Sequence, residues 1–314
     1  MEINKKYAEA PLFRDPIYDS ATDPVVIWNK CEKCWWMLYT QRRSASVNIG
    51  VSHIHGTAIG VASSKDGSRW LYRGTLPNLD FERGHNTFWA PEIVYENDRY
   101  HMYVSYIQGI PTDWNWERHI IHYTSDDLWN WHFESILPLS SDRVIDACVY
   151  KVDDDTYKMW YKDEGHDAYT YSAVSKDLYH WTVVGPEITG FPHEGPNVFE
   201  LGGKKWMIID EWNGLGVYES DDFSNWRRNG VILRDPGIRP FDGAMANHAD
   251  VLVCGENAYI FYFVHSHFKN ELRKDSSFTP GEMEYRAAVQ VAKLEVTGNT
   301  LTCDRDAKFE LLLK

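Results

Sequence analysis

Three carboxylates in this 314-residue chain share one local context. Asp23, Asp146 and Glu194 each stand at, or one residue before, the start of a run that reads as a β-strand. Each run is followed by a turn and a second strand rich in aromatics. Carboxylates brought close together raise the pKa of at least one member. One acid can then stay protonated near neutral pH while its neighbour stays ionised. Glycoside hydrolysis needs such a pair: one carboxyl protonates the leaving oxygen, and another activates water or attacks directly. A divalent cation held by the three carboxylates is the competing chemistry. Only His248 and Asp250 stand near as further ligands, so the acid/base reading is preferred.

The elements that must bring these residues together repeat. Five strand pairs follow one another, at residues 23–27 and 34–39, 90–94 and 100–104, 146–150 and 157–161, 195–199 and 205–209, and 248–252 and 258–262. Hairpin residues separate the partners, among them Glu96-Asn97-Asp98, Asp153-Asp154-Asp155 and Gly202-Gly203. A third strand is expected at 57–62, 119–123, 169–174 and 286–292. After the first three, and again in the fourth unit, comes the pattern Ser-x-Asp-x-x-x-Trp, at 64–70, 125–131, 175–181 and 220–226. Its Ser and Asp can cap a turn through backbone N–H groups, and its Trp is placed to enter a fourth, outer strand. The pattern therefore reads as architecture. Units of about 50 residues with three to four strands each predict an all-β fold, a five-bladed β-propeller. The fifth unit lacks the pattern, so its last strand is expected from one of the chain's ends. With no helix-length amphipathic stretch and no low-complexity linker, residues 1–314 read as a single catalytic domain. In such a ring the innermost strand of each blade lines the channel. The five openings, Asp23, Ala90, Asp146, Gly195 with Glu194 before it, and His248, then face one place.

Composition narrows the partners. Aromatics make up 15% of the chain, with 14 Trp and 19 Tyr. Most should fill sheet faces, and flat rings also stack on sugars. A net charge of −14 excludes a nucleic-acid footprint and disfavours an anionic membrane surface, leaving a neutral substrate as the simplest partner. No run approaches the ~18 apolar residues of a membrane span. Residues 1–15 lack an apolar leader core, so a cytoplasmic location is expected. The five cysteines suggest no disulfide framework. Cys31-x-x-Cys34 is half of a zinc site at most, and it sits on a hairpin turn. Asp153-Asp154-Asp155 is likewise a turn and not a calcium loop.

In order along the chain, Asp23-Pro24, Trp89-Ala90-Pro91-Glu92, Ile145-Asp146, Glu194-Gly195-Pro196 and Asn247-His248 resemble the motif set of glycoside hydrolase family 43. The related propeller families 32, 62, 68 and 117 share parts of it. The resemblance spans roughly residues 20–265. It departs at Asn247, where Gly is usual, and at Phe88, where His is common. It implies that Asp23 is the general base, that Glu194 is the general acid, and that Asp146 raises the pKa of the acid and orients it. It implies inversion at the anomeric centre, with the two carboxyls about 6.5–9.5 Å apart. It also implies a structural calcium ion or water beside His248, with no cofactor required for catalysis, and an Arg closing the site, either Arg286 or Arg239. Trp89, Trp114 and Trp116 are expected as walls for the sugar, and His53, His55 and His85 as solvated loop residues. The resulting expectation is an exo-acting glycosidase that releases α-L-arabinofuranosyl or β-xylosyl ends from plant-type oligosaccharides. Fructofuranosidase, galactofuranosidase and anhydrogalactosidase activities are its rivals. So is a phosphorylase, which needs Arg, Lys or His lining the cavity; the openings show no such cluster. A non-catalytic carbohydrate-binding propeller would keep the Trp walls and lose a carboxylate.

Overall fold

The computed structural model describes residues 7–46 and 49–313; the first six residues of the stretch read for a leader lie outside them. Twenty strands form five four-stranded antiparallel sheets, each running in chain order from its innermost to its outermost strand. Blade 1 holds β1 (Ala21–Asn29), β2 (Cys34–Gln41), β3 (Ala58–Ser64) and β4 (Leu71–Thr75). Blade 2 holds β5 (Thr87–Glu96), β6 (Arg99–Ile107), β7 (His119–Ser125) and β8 (His132–Ile136). Blade 3 holds β9 (Val144–Asp153), β10 (Thr156–Asp163), β11 (Tyr169–Ser175) and β12 (Thr182–Ile188). Blade 4 holds β13 (Glu194–Leu201), β14 (Lys204–Asp210), β15 (Leu215–Ser220) and β16 (Arg227–Ile232). Blade 5 holds β17 (Asn247–Cys254), β18 (Asn257–Val264), β19 (Ala288–Thr297) and β20 (Thr300–Cys303). The expected five-bladed β-propeller is the fold. Among the described residues no helix is long and apolar enough to cross a membrane.

Five buried clusters sit between successive blades and close the ring. Trp36 and Leu38 of blade 1 pack with Met102 and Val104 of blade 2. Tyr103 and Ile120 meet Val149 and Met159 between blades 2 and 3, and Trp160 meets Met207 and Val198 between blades 3 and 4. Trp206 and Ile208 meet Ile260 and Tyr262 between blades 4 and 5. The last interface joins Met37 and Val26 to Phe261 and Val289, and both ends of the chain enter it through Phe13, Leu311 and Leu313. Phe13 exchanges backbone hydrogen bonds with Val289, at 3.2 and 2.9 Å. The outermost strand of blade 5 does come from the C-terminal part of the chain, as β20. Closure itself rests on both ends packing across the seam.

The Ser-x-Asp-x-x-x-Trp segments are the turns between third and fourth strands. In blade 2, Ser125 Oγ accepts from Leu128 N at 3.0 Å, and Asp127 Oδ1 accepts from Trp129 N and Asn130 N at 2.8 and 2.7 Å. Trp131 Nε1 returns to Leu128 O at 2.9 Å. The residue after Asp takes positive φ in all four copies, at Gly67, Leu128, Leu178 and Phe223. Leu128, Leu178 and Phe223 bury their side chains there. Core anchoring thus offsets a backbone cost of roughly 1–2 kcal/mol for each of these L-residues. The turn's role is architectural, as its residue types imply.

Each inner strand has one partner strand, which leaves an edge of N–H groups facing the channel. Side chains reaching over from the preceding blade satisfy it. Glu92 Oε1 accepts from Val149 N at 2.7 Å, and Cys148 Sγ from Val198 N at 3.2 Å. Asn197 Oδ1 accepts from Val251 N at 3.2 Å, and Asp250 Oδ2 from Val26 N at 3.0 Å. The corresponding residue of blade 1 is Val25, which has nothing to offer. These side chains form a layer beneath the strand openings.

Candidate active site

Every inner strand carries a register shift at its opening, between Thr22 and Val25, Trp89 and Glu92, Ile145 and Cys148, Glu194 and Asn197, and Asn247 and Ala249. Such bulges re-aim a side chain. Four openings have positive φ: Asp23 at 49°, Ala90 at 45°, Asp146 at 60° and Gly195 at 58°. Asp tolerates this conformation better than most L-residues, and Gly adopts it freely. Gly195 is doubly constrained, since a Cβ there would lie 2.7 Å from Cγ of His248. Side chains at the ends of second strands pin the opening amides. Thr40 Oγ1 accepts from Ala90 N at 2.8 Å, Ser105 Oγ from Asp146 N at 2.9 Å, and Asp210 Oδ2 from His248 N at 2.9 Å.

The result is a cavity of 440 Å³ at one end of the channel, lined by Asp23, Asp146, Glu194 and His248. That is within the range of small-ligand pockets, about 300–1,000 Å³. His248 Nδ1 lies 3.7 Å from Asp23 Oδ1 and 3.9 Å from Asp146 Oδ2, so the imidazole stands between two carboxylates. Trp89, Trp114 and Trp212 supply flat apolar walls, with Ile54 and Ile145. Trp89 is fixed by a 2.6 Å bond from Nε1 to the Ile54 carbonyl. Three cations also reach the cavity: Arg42, Arg118 and Lys162. Lys162 Nζ lies 3.0 Å from Glu194 Oε2 and 3.0 Å from Glu164 Oε1, and Glu164 Oε2 in turn holds the buried Arg118 at 2.8 Å.

This chain of charges decides where a proton sits. Burial raises Asp146, which His248 and Lys162 oppose and Glu194 reinforces; the net is a pKa of about 7. Burial would raise Glu194 too, but the Lys162 ammonium, a hydrogen bond from Trp212 and the His248 charge together prevail, and Glu194 is held below the usual range. His248 is raised: burial works against its charge, but Asp146, Asp23 and Glu194 prevail. Asp210, beneath them, is pushed up to about 6 by burial and by the Glu194 charge. The directions run opposite to the expectation that Asp146 raises Glu194: Asp146 is raised and Glu194 lowered. Lys162 sits on Glu194, and the proton favours Asp146.

The structure brings Asp23, Asp146, Glu194, Trp89, Trp114 and His248 into one cavity, and it removes three other expected contacts. Trp116 is half-exposed and is not a wall; its carbonyl accepts from Arg118 Nε at 3.3 Å. Arg286 precedes β19 and pairs with Glu282, one helical turn earlier, away from the cavity. Arg239 is bound to Asp242, Tyr262 and the Val291 carbonyl inside blade 5. The cation beside Asp23 is instead Arg42, with Nη2 3.7 Å from Asp23 Oδ2. For the calcium ion or water that the resemblance implies beside His248, no group of three or more His, Cys, Asp or Glu side chains among the described residues is arranged to hold a metal ion. His53 and His55 are buried rather than solvated, while His85 is exposed. Reading only strand openings missed Arg42, Arg118, Lys162, Glu164 and Trp212. Antiparallel pairing returns the end of each second strand beside the opening of the first, as Ile145 opposite Lys162 and Glu194 opposite Asp210 show. Residues just past the aromatic runs were the available signal.

The fold has counterparts among solved structures. No protein-family model matches the chain, and no curated protein sequence does. A thermostable family-43 glycoside hydrolase superposes with a TM-score of 0.67 at 17% identity, covering 96% of this chain and 100% of that one. A family-43 β-xylosidase/α-arabinofuranosidase from a compost microbial metagenome, in complex with xylotriose and calcium-free, gives 0.66 at 16% identity, with 91% and 94% covered. A family-32 β-fructofuranosidase of Bombyx mori gives 0.68 at 15% identity, covering 96% of this chain and 65% of that one.

Proposed function

We propose that this protein is a glycoside hydrolase that removes a terminal sugar by acid/base catalysis. The observation that carries the reading is the convergence of Asp23, Asp146 and Glu194, from three blades, with His248 in one Trp-walled cavity. A confined cavity of 440 Å³ favours release of one terminal sugar, hence an exo-acting enzyme. Asp23 is assigned as the base that accepts a proton from the attacking water. The Asp146–Glu194 pair is assigned as the proton source for the departing oxygen, with Lys162 setting how the proton is divided between them. The flat walls of Trp89, Trp114 and Trp212 suit the C–H faces of a sugar ring. β-Xylosyl or α-L-arabinofuranosyl ends are the proposed substrates. The motif order in the sequence and the kinship in fold with enzymes of those activities support that choice.

A panel of nitrophenyl glycosides, with sucrose added for the fructofuranosidase alternative, tests the assignment. Asp23→Asn and Glu194→Gln should each lose about 10²–10⁴-fold in kcat. Full activity in both variants overturns the site. No turnover of any substrate by the native chain supports the carbohydrate-binding alternative. NMR of the first-formed anomer tests inversion.

A further inference from the structure

Beside Asp23 the cavity wall turns cationic and runs short of partners. Arg42, directly after β2, places its guanidinium 5.5 Å from the centre of the Phe263 ring. Phe263 and His265 lie 5.3 Å apart, and the chain then leaves β18 for two single-turn helices, α1 (Asn270–Arg273) and α2 (Glu282–Tyr285). Arg273 lies 4.5 Å over the Phe268 ring and donates from Nε to the Phe268 carbonyl at 3.0 Å. Tyr285 contacts Phe268 at 6.5 Å and the His53 ring at 3.8 Å. A run of aromatic rings thus gathers two guanidiniums and two imidazoles at the seam between blades 5 and 1.

The donors there are unmatched. Arg42 Nε, Arg273 Nη2 and His53 Nδ1 are all buried without a hydrogen-bond partner. His53 and His265 are 5% and 6% exposed. Among the described residues Arg273 makes no ion pair, and Arg42 has only Asp23, at 3.7 Å. Burial, with the opposing charge of Arg42 and against the pull of Asp210, lowers Arg273 to about 10. Burial and Arg42 lower His53 to about 4, so it stands neutral, and its unpartnered Nδ1 can donate in one tautomer. Arg118 and Lys162 differ, since Glu164 and Glu194 match them. A buried cation left without an anion is strongly unfavourable, and Arg is the side chain best shaped to bind oxyanions.

We propose that Arg42, Arg273 and His53 form an oxyanion subsite next to Asp23, which takes a carboxylate carried by the sugar or a free phosphate. The adjacency to bond cleavage rests on the glycosidase reading; the anion binding does not. The test is calorimetric titration at constant ionic strength with sodium D-glucuronate, inorganic phosphate and, as the neutral control, D-xylose. At least one anion should bind, and Arg42→Gln and Arg273→Met should each weaken it by roughly ten-fold or more. Asp23→Asn should tighten it, because the competing carboxylate is gone. Arg273→Met removes a partly buried charge that makes no ion pair, so its melting temperature should hold or rise. Binding of glucuronate alone assigns the group to the substrate; binding of phosphate alone assigns a free anion. If neither binds, or if both Arg variants bind like the native chain, the subsite falls while the glycosidase assignment stands. If Asp23→Asn and Glu194→Gln keep full glycosidase activity but the anion still binds, the reverse holds.

Discussion

Two rings of polar side chains, each drawn from four of the five inner strands, lie about two residues apart along them and behave differently. The upper ring holds Asp23, Asp146, His248 and the neighbouring Glu194, which face a cavity. The lower ring holds Glu92, Cys148, Asn197 and Asp250, whose acceptors are taken by backbone N–H groups of the next blade. Burial and the Asp250 charge push Glu92 up to about 8, and burial pushes Asp250 up to about 6. A perturbed carboxyl on an inner strand is therefore no mark of catalysis by itself. What separates the rings is the surroundings: the upper ring opens on a cavity that Arg42, Arg118 and Lys162 also reach, although Asp146 Oδ2 still accepts from Gly195 N at 3.2 Å. The bulge at each opening makes the difference, since it turns one residue out of the ladder while the next inward residue stays in reach of the adjacent blade.

The sharpest way to break this comparison is to neutralise one carboxylate in each ring. Glu194→Gln should lose about 10²–10⁴-fold in kcat with its melting temperature nearly unchanged. Equal losses from Glu194→Gln and Asp250→Asn would erase the distinction. Next in size, Asp250→Ala orphans Val26 N and Asn197 Nδ2, at about 1–3 kcal/mol for each buried group. Urea unfolding should show that loss, and Asp250→Asn should recover only part of it, because one acceptor oxygen remains for two donors. A third test concerns the upper ring's proton. Hydrolysis should fall as pH rises through about 7, where Asp146 loses its proton. Lys162 lowers both Asp146 and Glu194, so Lys162→Met should move that alkaline limb of kcat/KM to higher pH. An unmoved limb would remove the pair as proton source.

The smallest effect is expected far from both rings, in the turns. Burial would raise Asp127, but hydrogen bonds from Asn130 and Trp129 prevail and lower it. A carboxylate lowered on folding contributes stability above its unfolded pKa of about 4 and loses it as pH falls through the folded value. Asp127→Ala should cost about 0.5–1.5 kcal/mol at pH 7, and the gap should close in acid. A constant gap down to pH 2 would contradict the hydrogen-bonded turn.

Much of this molecule was legible as pattern. Alternation and hairpin residues located the strands, and the Ser-x-Asp-x-x-x-Trp turns delimited the blades, because turn chemistry is local and each residue type in it has a local reason. The third strand of blade 5 was expected from residue 286 and begins at Ala288. Arg286 fell outside it for that reason and turned back to Glu282. The short helices after β18 have no periodicity to announce them.

The sequence by itself determined the repeat, the number of blades and the openings at which Asp23, Asp146 and Glu194 converge. A period-2 pattern and a turn signature act within a few residues, so they can be read along the chain. Only the tertiary structure decided which charges meet. Lys162 reaches Glu194 from the neighbouring blade, Arg118 and Glu164 meet across a loop, and Arg42 shares the seam with Arg273 from the far end of the chain. Those pairings set the proton on Asp146 and leave the seam cations unmatched. They depend on how separate blades pack against one another, and no local spacing encodes that.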